Sequence, residues 1–388
     1  MQVFTSTRGK AWEGSGWPDS SRAPVDETED ALLSGLVDGV PVRRVDLPRD
    51  WRRQPLYYAR LFNYCRSRRN QIDVVHFLHL HKWAAPWVYR LRRSAIATVI
   101  SCTTFSEIST VPWKRAKERF DKRLPFNLVD AVVASSIEMR RYLENLGVRK
   151  PVTVIPNGVD LQRFRPATDE SEKMRLRRKL GLPLSGQLVL SVGAVQPRKG
   201  TDVLLEAFAR LCGRDDEDPH LVVAGPRHDL TRPSLSTFAN RIQASIAEGQ
   251  ISNRVTFVGE VKGIEDYYRA ADIFVFPSRL EGMPNAVLEA MACGLPVVMT
   301  PFTGLSEDLG VDRTHFVISG WDSERLAVDI HNLLTQPAAR QELGRAALCW
   351  IRENHDVGRS LDAYANLYHE LRDKYESRAA GHALDVQH

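Results

Sequence analysis

Two carboxylates in one short stretch of the chain have the spacing and the surroundings to bind a polar ligand. The stretch covers residues 276–296 and reads FPSRLEGMPNAVLEAMACGLP. Pro284 suits the first turn of a helix, and the closing Gly and Pro suit its end. We therefore predict a helix over residues 284–293, with Glu281 in the loop before it and Glu289 about one and a half turns inside it.

The entrance of this predicted helix suits a phosphate group. Gly282, Met283, Pro284 and Asn285 form the entrance, where backbone N–H groups are free and the helix dipole is positive. Carboxylates before and within the helix could accept hydrogen bonds from hydroxyl groups on either side of the phosphate. A nucleoside-diphosphate sugar has this order of groups. On spacing alone, an amphipathic helix with two surface glutamates is the simpler interpretation, and the rest of the chain decides against it.

Length and composition predict a soluble two-domain protein. The chain has 388 residues, of which 43% are hydrophobic and 26% charged. No apolar run reaches the roughly 18 residues of a membrane span, and no signal-peptide core follows the first residue. The five cysteines are odd in number and scattered, which indicates reduced thiols and no zinc site. We therefore expect a cytoplasmic protein.

Positive charge is concentrated in the first half of the chain. Residues 1–150 contain 26 Lys and Arg against 16 Asp and Glu, whereas the remainder is net negative. The excess is densest at Arg66–Arg69, Arg90–Arg93 and Lys114–Arg123. This half suits a phosphorylated acceptor or an anionic membrane, to whose inner face the protein would bind peripherally. Nucleic acid is disfavoured because the aromatic and glycine arrangements of common binding modules are absent. Solvated helix faces rich in arginine explain the charge equally well.

Strand-like and helix-like segments alternate along both halves. Buried-strand patterns lie at 73–77, 96–100, 130–136, 187–195, 221–226, 255–261, 272–278, 296–301 and 315–319. Such alternation predicts a parallel sheet covered on both faces in each half. We divide the chain into domains at 1–150 and 151–360, a final helix at 361–376 that crosses back to the first domain, and a disordered tail at 377–388. Neither a GxxxxGK[ST] loop nor a GxGxxG fingerprint fits, which argues against a P-loop ATPase and a nicotinamide dehydrogenase.

Three motifs together resemble the retaining glycosyltransferases of family 4, which have the GT-B fold. They are the 276–296 stretch, the junction VIPNGVD at 154–160, and a strand ending in QPRKG at 196–200. The resemblance implies an α/β fold with two Rossmann-like, doubly wound parallel-sheet domains facing across a cleft. It also implies a retaining enzyme that moves a hexose from a nucleoside-diphosphate sugar to a glycan or lipid-linked acceptor. Neither a metal nor any other cofactor is expected.

By the same resemblance, Glu281 would hold the hydroxyls of the donor sugar and Glu289 those of the ribose. Arg198 and Lys199 would stabilise the departing diphosphate together with the helix entrance. The family has an arginine where this chain has Ala194, so Arg198 is expected to substitute for it.

Two glycines complete the donor side of the predicted site. Gly193 and Gly225 follow strands that the family places against the donor nucleotide.

The acceptor side of the predicted site matches the family's motifs less closely. His76 matches a histidine of the family's DVVH segment, although a histidine at a strand end is more often structural. The histidine that commonly follows the strand at 96–100 is missing, and Ser101, Thr103 or Thr104 could donate a hydrogen bond in its place.

The beginning of the chain leaves a choice open. Family members usually have a strand and a Gly-Gly turn before a segment that resembles MQVFTS, which here occupies residues 1–6. A start codon placed too far downstream and a genuine loss both explain the difference. With the missing histidine and Ala194, it motivates an alternative: a degenerate, non-catalytic relative that binds nucleotide or glycan.

Overall fold

The computed structural model describes most of the chain beyond residue 53 and three strands before it. Backbone is described for residues 3–7, 33–37, 40–46, 54–78, 84–103, 105, 112–212 and 219–385, and side chains for 58–78, 84–103, 105, 120–212 and 219–377. A composition rich in Gly, Ser, Pro and charge predicts a long loop over residues 7–28, of which the structure describes only Thr7. Thr104 also lies outside the described residues.

The first half contains two separate sheets. Its elements are β1 (Val3–Thr7), β2 (Leu33–Val37), β3 (Val40–Asp46), α1 (Gln54–Ser67), β4 (Val74–Phe77), α2 (Ala85–Arg93), β5 (Ala97–Cys102), α3 (Pro112–Leu128), β6 (Ala131–Ala134), α4 (Ile137–Leu146) and β7 (Val152–Val154). Strands β4, β5, β6 and β7 form a parallel sheet in that order. Strand β3 lies between β1, its parallel neighbour, and β2, its antiparallel neighbour.

Strand β2 was not predicted from the sequence. It pairs with β3 from Leu33 opposite Arg44 to Val37 opposite Val40. The dipeptide Asp38-Gly39 between the two strands is favoured in two-residue hairpin turns, and this signal would have indicated the pair.

The second half is built around one larger parallel sheet. Its elements are α5 (Glu170–Leu180), β8 (Leu188–Val192), α6 (Thr201–Cys212), β9 (His220–Ala224), α7 (His228–Thr231), α8 (Ser236–Glu248), β10 (Val255–Gly259), α9 (Ile264–Ala270), β11 (Ile273–Phe276), α10 (Asn285–Ala292), β12 (Val297–Met299), β13 (Val317–Ile318), α11 (Ser323–Thr335), α12 (Pro337–Asn354) and α13 (Val357–Asp385). The strand order is β10-β9-β8-β11-β12-β13, and every pairing is parallel.

Both faces of this six-stranded sheet are buried. Phe274 and Phe276 of β11 lie in one apolar cluster, whereas Ile273 and Val275 of the same strand lie in another. Successive side chains of a strand point to opposite faces, so the two clusters are the two sides of the sheet. The predicted doubly wound α/β class is therefore confirmed.

Helix α13 returns to the first half and covers one face of the β4–β7 sheet. Leu371 is buried in a cluster with Ala97 and Val99 of β5, and Tyr364 and Tyr368 pack against that cluster. The sequence predicted a disordered tail from residue 377, but the structure continues the helix through residues 378–385. These residues include AAGHAL, in which three alanines favour helix.

The junction between the halves differs from its prediction. The dipeptide Asn157-Gly158 is typical of a turn with positive φ, yet neither residue has a positive φ. Glycine is required at 158 for another reason: a Cβ atom there would overlap the backbone of Val357 at the start of α13. No helix in the described part of the chain is long and apolar enough to cross a membrane.

Candidate active site

Glu281 lies in the loop of residues 277–284 between β11 and α10, which we call the Glu281 loop. Its Oε1 atom accepts hydrogen bonds from Lys199 Nζ at 2.7 Å, from Arg198 Nη1 at 3.0 Å and from the Ser278 hydroxyl. The Glu281 side chain is 12% exposed. No hydrogen bond among the described residues uses its Oε2 atom, so this oxygen is available to a ligand.

The turn after β8 delivers both cations to the Glu281 loop. Residues Pro197–Lys199 form a short 3-10 turn, which ends at Gly200 with φ of 66°. A Cβ atom on Gly200 would overlap the carbonyl oxygen of Pro277, so only glycine allows the turn and the loop to approach this closely. The Arg198 side chain remains 41% exposed and that of Lys199 19% exposed, which leaves both within reach of a ligand.

Ser278 is a site residue that sequence reasoning missed. It is fully buried, and its hydroxyl touches Glu281 Oε1 and lies 3.2 Å from the Arg198 carbonyl oxygen. It therefore fixes the position of Glu281 relative to the turn that carries the cations. A polar residue two positions after the buried strand β11, at the carboxyl edge of a parallel sheet, was the available signal.

Two predicted donor-side glycines lie beside this cluster. Gly193 follows β8 with φ of 156°, and Gly225 follows β9 with φ of 144°. A Cβ atom on Gly225 would overlap the Gly193 carbonyl, and one on Gly193 would lie 3.4 Å from Lys199 Cδ. The two backbones are thus packed closely against each other at the carboxyl ends of β8 and β9, next to Lys199. Their part in donor binding stays a prediction.

The entrance of α10 begins one residue later than predicted. Pro284 is the N-cap residue, and Asn285 is the first residue of the helix. The N–H groups of Asn285 and Ala286 form no hydrogen bond within the described part of the chain, as an anion site requires. Asn157 holds this entrance, because its amide donates to Asn285 Oδ1 at 2.7 Å and to the Met283 carbonyl at 3.3 Å.

Glu289 lies inside α10 and is bonded to an aromatic hydroxyl. Tyr268 donates to Glu289 Oε2 at 2.9 Å. Burial raises the pKa of Glu289, while the hydrogen bond from Tyr268 opposes the shift. Burial and the neighbouring Glu289 also raise the pKa of Tyr268 well above its ordinary value. No described hydrogen bond uses Glu289 Oε1, so one oxygen of this carboxylate also remains for a ligand.

The predicted acceptor-side residues divide into two groups. Thr103 follows β5, and its carbonyl oxygen lies so close to Gly282 that a Cβ atom on this glycine would overlap it. The two halves of the molecule therefore meet at the Glu281 loop. The Ser135 hydroxyl, buried and without a described partner, lies at the same contact, 3.6 Å from where that Cβ atom would be.

His76 and Ser101 face the last helix instead. His76 Nε2 lies 2.8 Å from Ser101 Oγ, and His76 Nδ1 lies 2.6 Å from the Tyr368 hydroxyl, while Ser101 is 3.2 Å from the Tyr364 hydroxyl. Burial lowers the pKa of His76 to about 4. No described contact joins either residue to the Glu281 loop, which favours the structural interpretation of this histidine.

Two family models match adjacent parts of the chain. "Glycosyltransferase Family 4" matches residues 16–163 and "Glycosyl transferases group 1" matches residues 172–349. The chain belongs to glycosyltransferase family 4. This family 4 chain is 37% identical over 247 residues to the lipopolysaccharide core biosynthesis mannosyltransferase LpsB of Rhizobium meliloti, covering 63% of this chain and 66% of that one. It is 29% identical over 317 residues to a D-inositol 3-phosphate glycosyltransferase of Nocardiopsis dassonvillei, covering 76% and 71%.

Solved structures support the predicted GT-B fold. HepE of Anabaena, crystallised with UDP and glucose, superposes with a TM-score of 0.69 at 18% identity, covering 86% of this family 4 chain and 87% of that one.

Across the first curated relatives, the aligned region spans between 47% and 71% of the relative's own length.

Proposed function

We propose that this family 4 chain is a retaining glycosyltransferase that moves a hexose from a nucleoside-diphosphate sugar to an acceptor. One observation carries the proposal: Arg198 and Lys199 converge on Glu281 beside the free N–H groups at the entrance of α10. Two cations, a helix entrance and a carboxylate with a free oxygen match a diphosphate joined to a sugar. The site lies at the carboxyl ends of β8 and β11, where open parallel sheets bind their ligands.

The chemistry follows from where charge develops. As the bond from the sugar to the diphosphate breaks, negative charge grows on the leaving phosphate. Arg198, Lys199 and the N–H groups of Asn285 and Ala286 would stabilise that charge. Removing one such preorganised donor typically costs roughly 3–4 kcal/mol of barrier, or about a hundredfold to thousandfold in rate. With two side-chain cations at this position, the proposed reaction needs no metal ion.

The carboxylates would hold the two ends of the donor. Glu281 Oε2 would accept hydrogen bonds from hydroxyls of the transferred sugar while Oε1 stays bonded to Arg198, Lys199 and Ser278. Glu289 Oε1 would accept from the ribose, with Oε2 held by Tyr268.

The proposal extends to the donor and the acceptor. Relatives and structural neighbours are named for mannose transfer or were crystallised with UDP-glucose, which supports a hexose donor. The lipopolysaccharide-core relative supports a glycan or lipid-linked acceptor. The basic first half supports an anionic membrane surface as a partner of a cytoplasmic enzyme.

The non-catalytic alternative is the weaker proposal. It was motivated partly by Ala194, yet Arg198 brings a guanidinium group to the same cluster from four residues further along the chain. The positive charge that the family's arginine supplies from position 194 is therefore present at Glu281.

Proton NMR of the products tests the proposal. UDP-glucose and GDP-mannose, both α-linked donors, would be incubated with the protein and EDTA, with water as the acceptor when no other is supplied. We expect the α-anomer of the free sugar to appear first, and the Lys199→Ala variant to release it at least about a hundredfold more slowly. First appearance of the β-anomer would refute retention, and release only when divalent metal is added would refute metal independence.

A further inference from the structure

A second concave site lies at the far end of the first half, away from Glu281. Its volume is about 530 Å³, and it is lined by Phe120, Arg123, Leu124, Asn127, Arg149 and Lys150. Residues 149 and 150 precede β7, and residue 127 lies near the end of α3 just before β6. The pocket is therefore at the amino ends of these strands. The Glu281 loop meets the first half after the carboxyl end of β5, so the two sites occupy opposite edges of one sheet.

Three cations around this pocket have no carboxylate partner among the described residues. Within the described part of the chain, no ion pair is formed by Arg123, Arg149 or Lys150. A neighbouring arginine shows the contrast, because Arg92 donates to Asp130 at 2.8 Å and is thereby neutralised. Uncompensated positive charge around a concavity attracts an anion, and guanidinium groups match phosphate geometry in particular.

The polar lining of the pocket is fixed by backbone contacts. Asn127 Oδ1 accepts from the Arg149 N–H at 2.7 Å, and Asn127 Nδ2 donates to the Gly147 carbonyl at 3.4 Å. The segment that carries Arg149 and Lys150 is thus held against α3.

The rest of the pocket is apolar. Phe120 is 51% exposed, which is unusual for a phenylalanine, and Leu124 follows it one turn later on α3. The guanidinium carbon of Arg123 lies 5.6 Å from the centre of the Phe120 ring. An exposed aromatic ring next to cations suits a ligand that joins an anionic group to an apolar one.

We propose that this pocket binds a phosphate group linked to an apolar moiety. The phosphate lies among Arg123, Arg149 and Lys150, and the apolar part lies on Phe120 and Leu124. An anionic phospholipid in a membrane and a soluble phosphate that carries an apolar group both offer this chemistry, and they differ in whether a membrane retains the protein. The proposal goes beyond sugar transfer and does not depend on it.

Binding measurements on the full chain separate these sources. Isothermal titration would use two probes, dihexanoyl phosphatidic acid below its micelle concentration and inorganic phosphate. Co-sedimentation would use phosphatidylcholine vesicles with and without phosphatidic acid. The variants are Arg149→Ala/Lys150→Ala, Phe120→Ala and a control, Arg175→Ala/Arg178→Ala, which removes two exposed cations from α5. Circular dichroism checks that each variant is folded.

We expect the Arg149→Ala/Lys150→Ala variant to bind the short-chain lipid about thirtyfold more weakly than the wild type, while the control is unchanged. A lipid source predicts that Phe120→Ala also weakens binding of the lipid and the acidic vesicles but not of inorganic phosphate. A soluble phosphate that carries an apolar group predicts that Phe120→Ala weakens binding of the short-chain lipid but that vesicles do not retain the protein. Equal affinity of the wild type and the Arg149→Ala/Lys150→Ala variant for both probes would overturn the proposal. No donor sugar is present, so this result is independent of the transferase assay.

Discussion

At the scale of single residues, the two carboxylates of the candidate site are held in the same way. One oxygen of Glu281 is bonded to Lys199, Arg198 and Ser278, and one oxygen of Glu289 is bonded to Tyr268, which leaves the second oxygen of each for a ligand. Residue identity and spacing were enough to select the two glutamates and two cations. Ser278 could have been noticed from its position just beyond the buried strand β11. Tyr268 could not be selected this way, because a tyrosine in a helix has many possible neighbours.

Glu289→Gln separates binding from stability. Because burial raises the pKa of Glu289, ionisation of its carboxylate lowers the free energy of unfolding as pH rises through that pKa. A glutamine amide stays neutral and does not cause this loss. We expect the variant to be at least as stable as the wild type at pH 7, yet to bind UDP or GDP about tenfold more weakly, since a neutral amide is the weaker acceptor. Calorimetry and urea unfolding measure the two quantities, with exposed Glu206→Gln as the control. Unchanged nucleotide affinity would remove Glu289 from the site.

At the scale of elements, close backbone approaches position the Glu281 loop. Gly282 abuts the Thr103 carbonyl, and Gly304, with φ of 99°, abuts the carbonyl of Glu281 and the ring of Phe105. The helix and strand bounds that surround these contacts could be predicted, since they depend on local periodicity. The contacts themselves could not, because they join segments that are far apart in the sequence.

Gly282→Ala should disturb the site without unfolding either half. The new methyl group overlaps a backbone oxygen, so the loop and the segment after β5 must separate. A shift of about 1 Å typically costs on the order of a hundredfold in rate, and we expect turnover of the donor to fall by that amount. Gly320→Ala is a matched control, because its nearest neighbour would lie 3.7 Å away in ordinary contact. Full activity in Gly282→Ala, measured by release of the free sugar, would contradict this account of the loop.

The contact between α13 and the β4–β7 sheet should depend on pH. Burial lowers the pKa of His76 to about 4 from an ordinary 6.5, so the folded state resists protonation. Stability from this residue is present above pH 6.5 and is lost as pH falls towards 4, a change of about 3 kcal/mol. We expect His76→Asn, which cannot titrate, to show a shallower fall in urea-unfolding free energy over that range. The control is His369→Asn, which changes an exposed histidine on α13 and should behave like the wild type. An equal fall in unfolding free energy with pH in all three proteins would rule out this role for His76.

At the scale of the whole molecule, polar contacts besides the Glu281 loop also join the halves. The Ile137 N–H, at the start of α4, donates to Asp308 Oδ2 at 3.1 Å, and Arg141 pairs with Glu307 at 2.8 Å. The two parallel sheets could be predicted from the alternation of strands and helices. The way the halves face each other could not, because backbone and side-chain polar groups such as these have no periodic signal that identifies a partner.

A thermal-shift screen tests the central claim most directly, that Glu281, Arg198 and Lys199 form a nucleoside-diphosphate-sugar site. UDP- and GDP-sugars would be added with EDTA to the wild type, to Arg198→Ala/Lys199→Ala and to the charge-matched control Arg175→Ala/Arg178→Ala. A donor at 100 times its dissociation constant adds about 2.7 kcal/mol of stability. We predict a clear rise in melting temperature for the wild type and the control with at least one donor, and a much smaller rise for the Arg198→Ala/Lys199→Ala variant. The same rise in all three proteins would contradict the account.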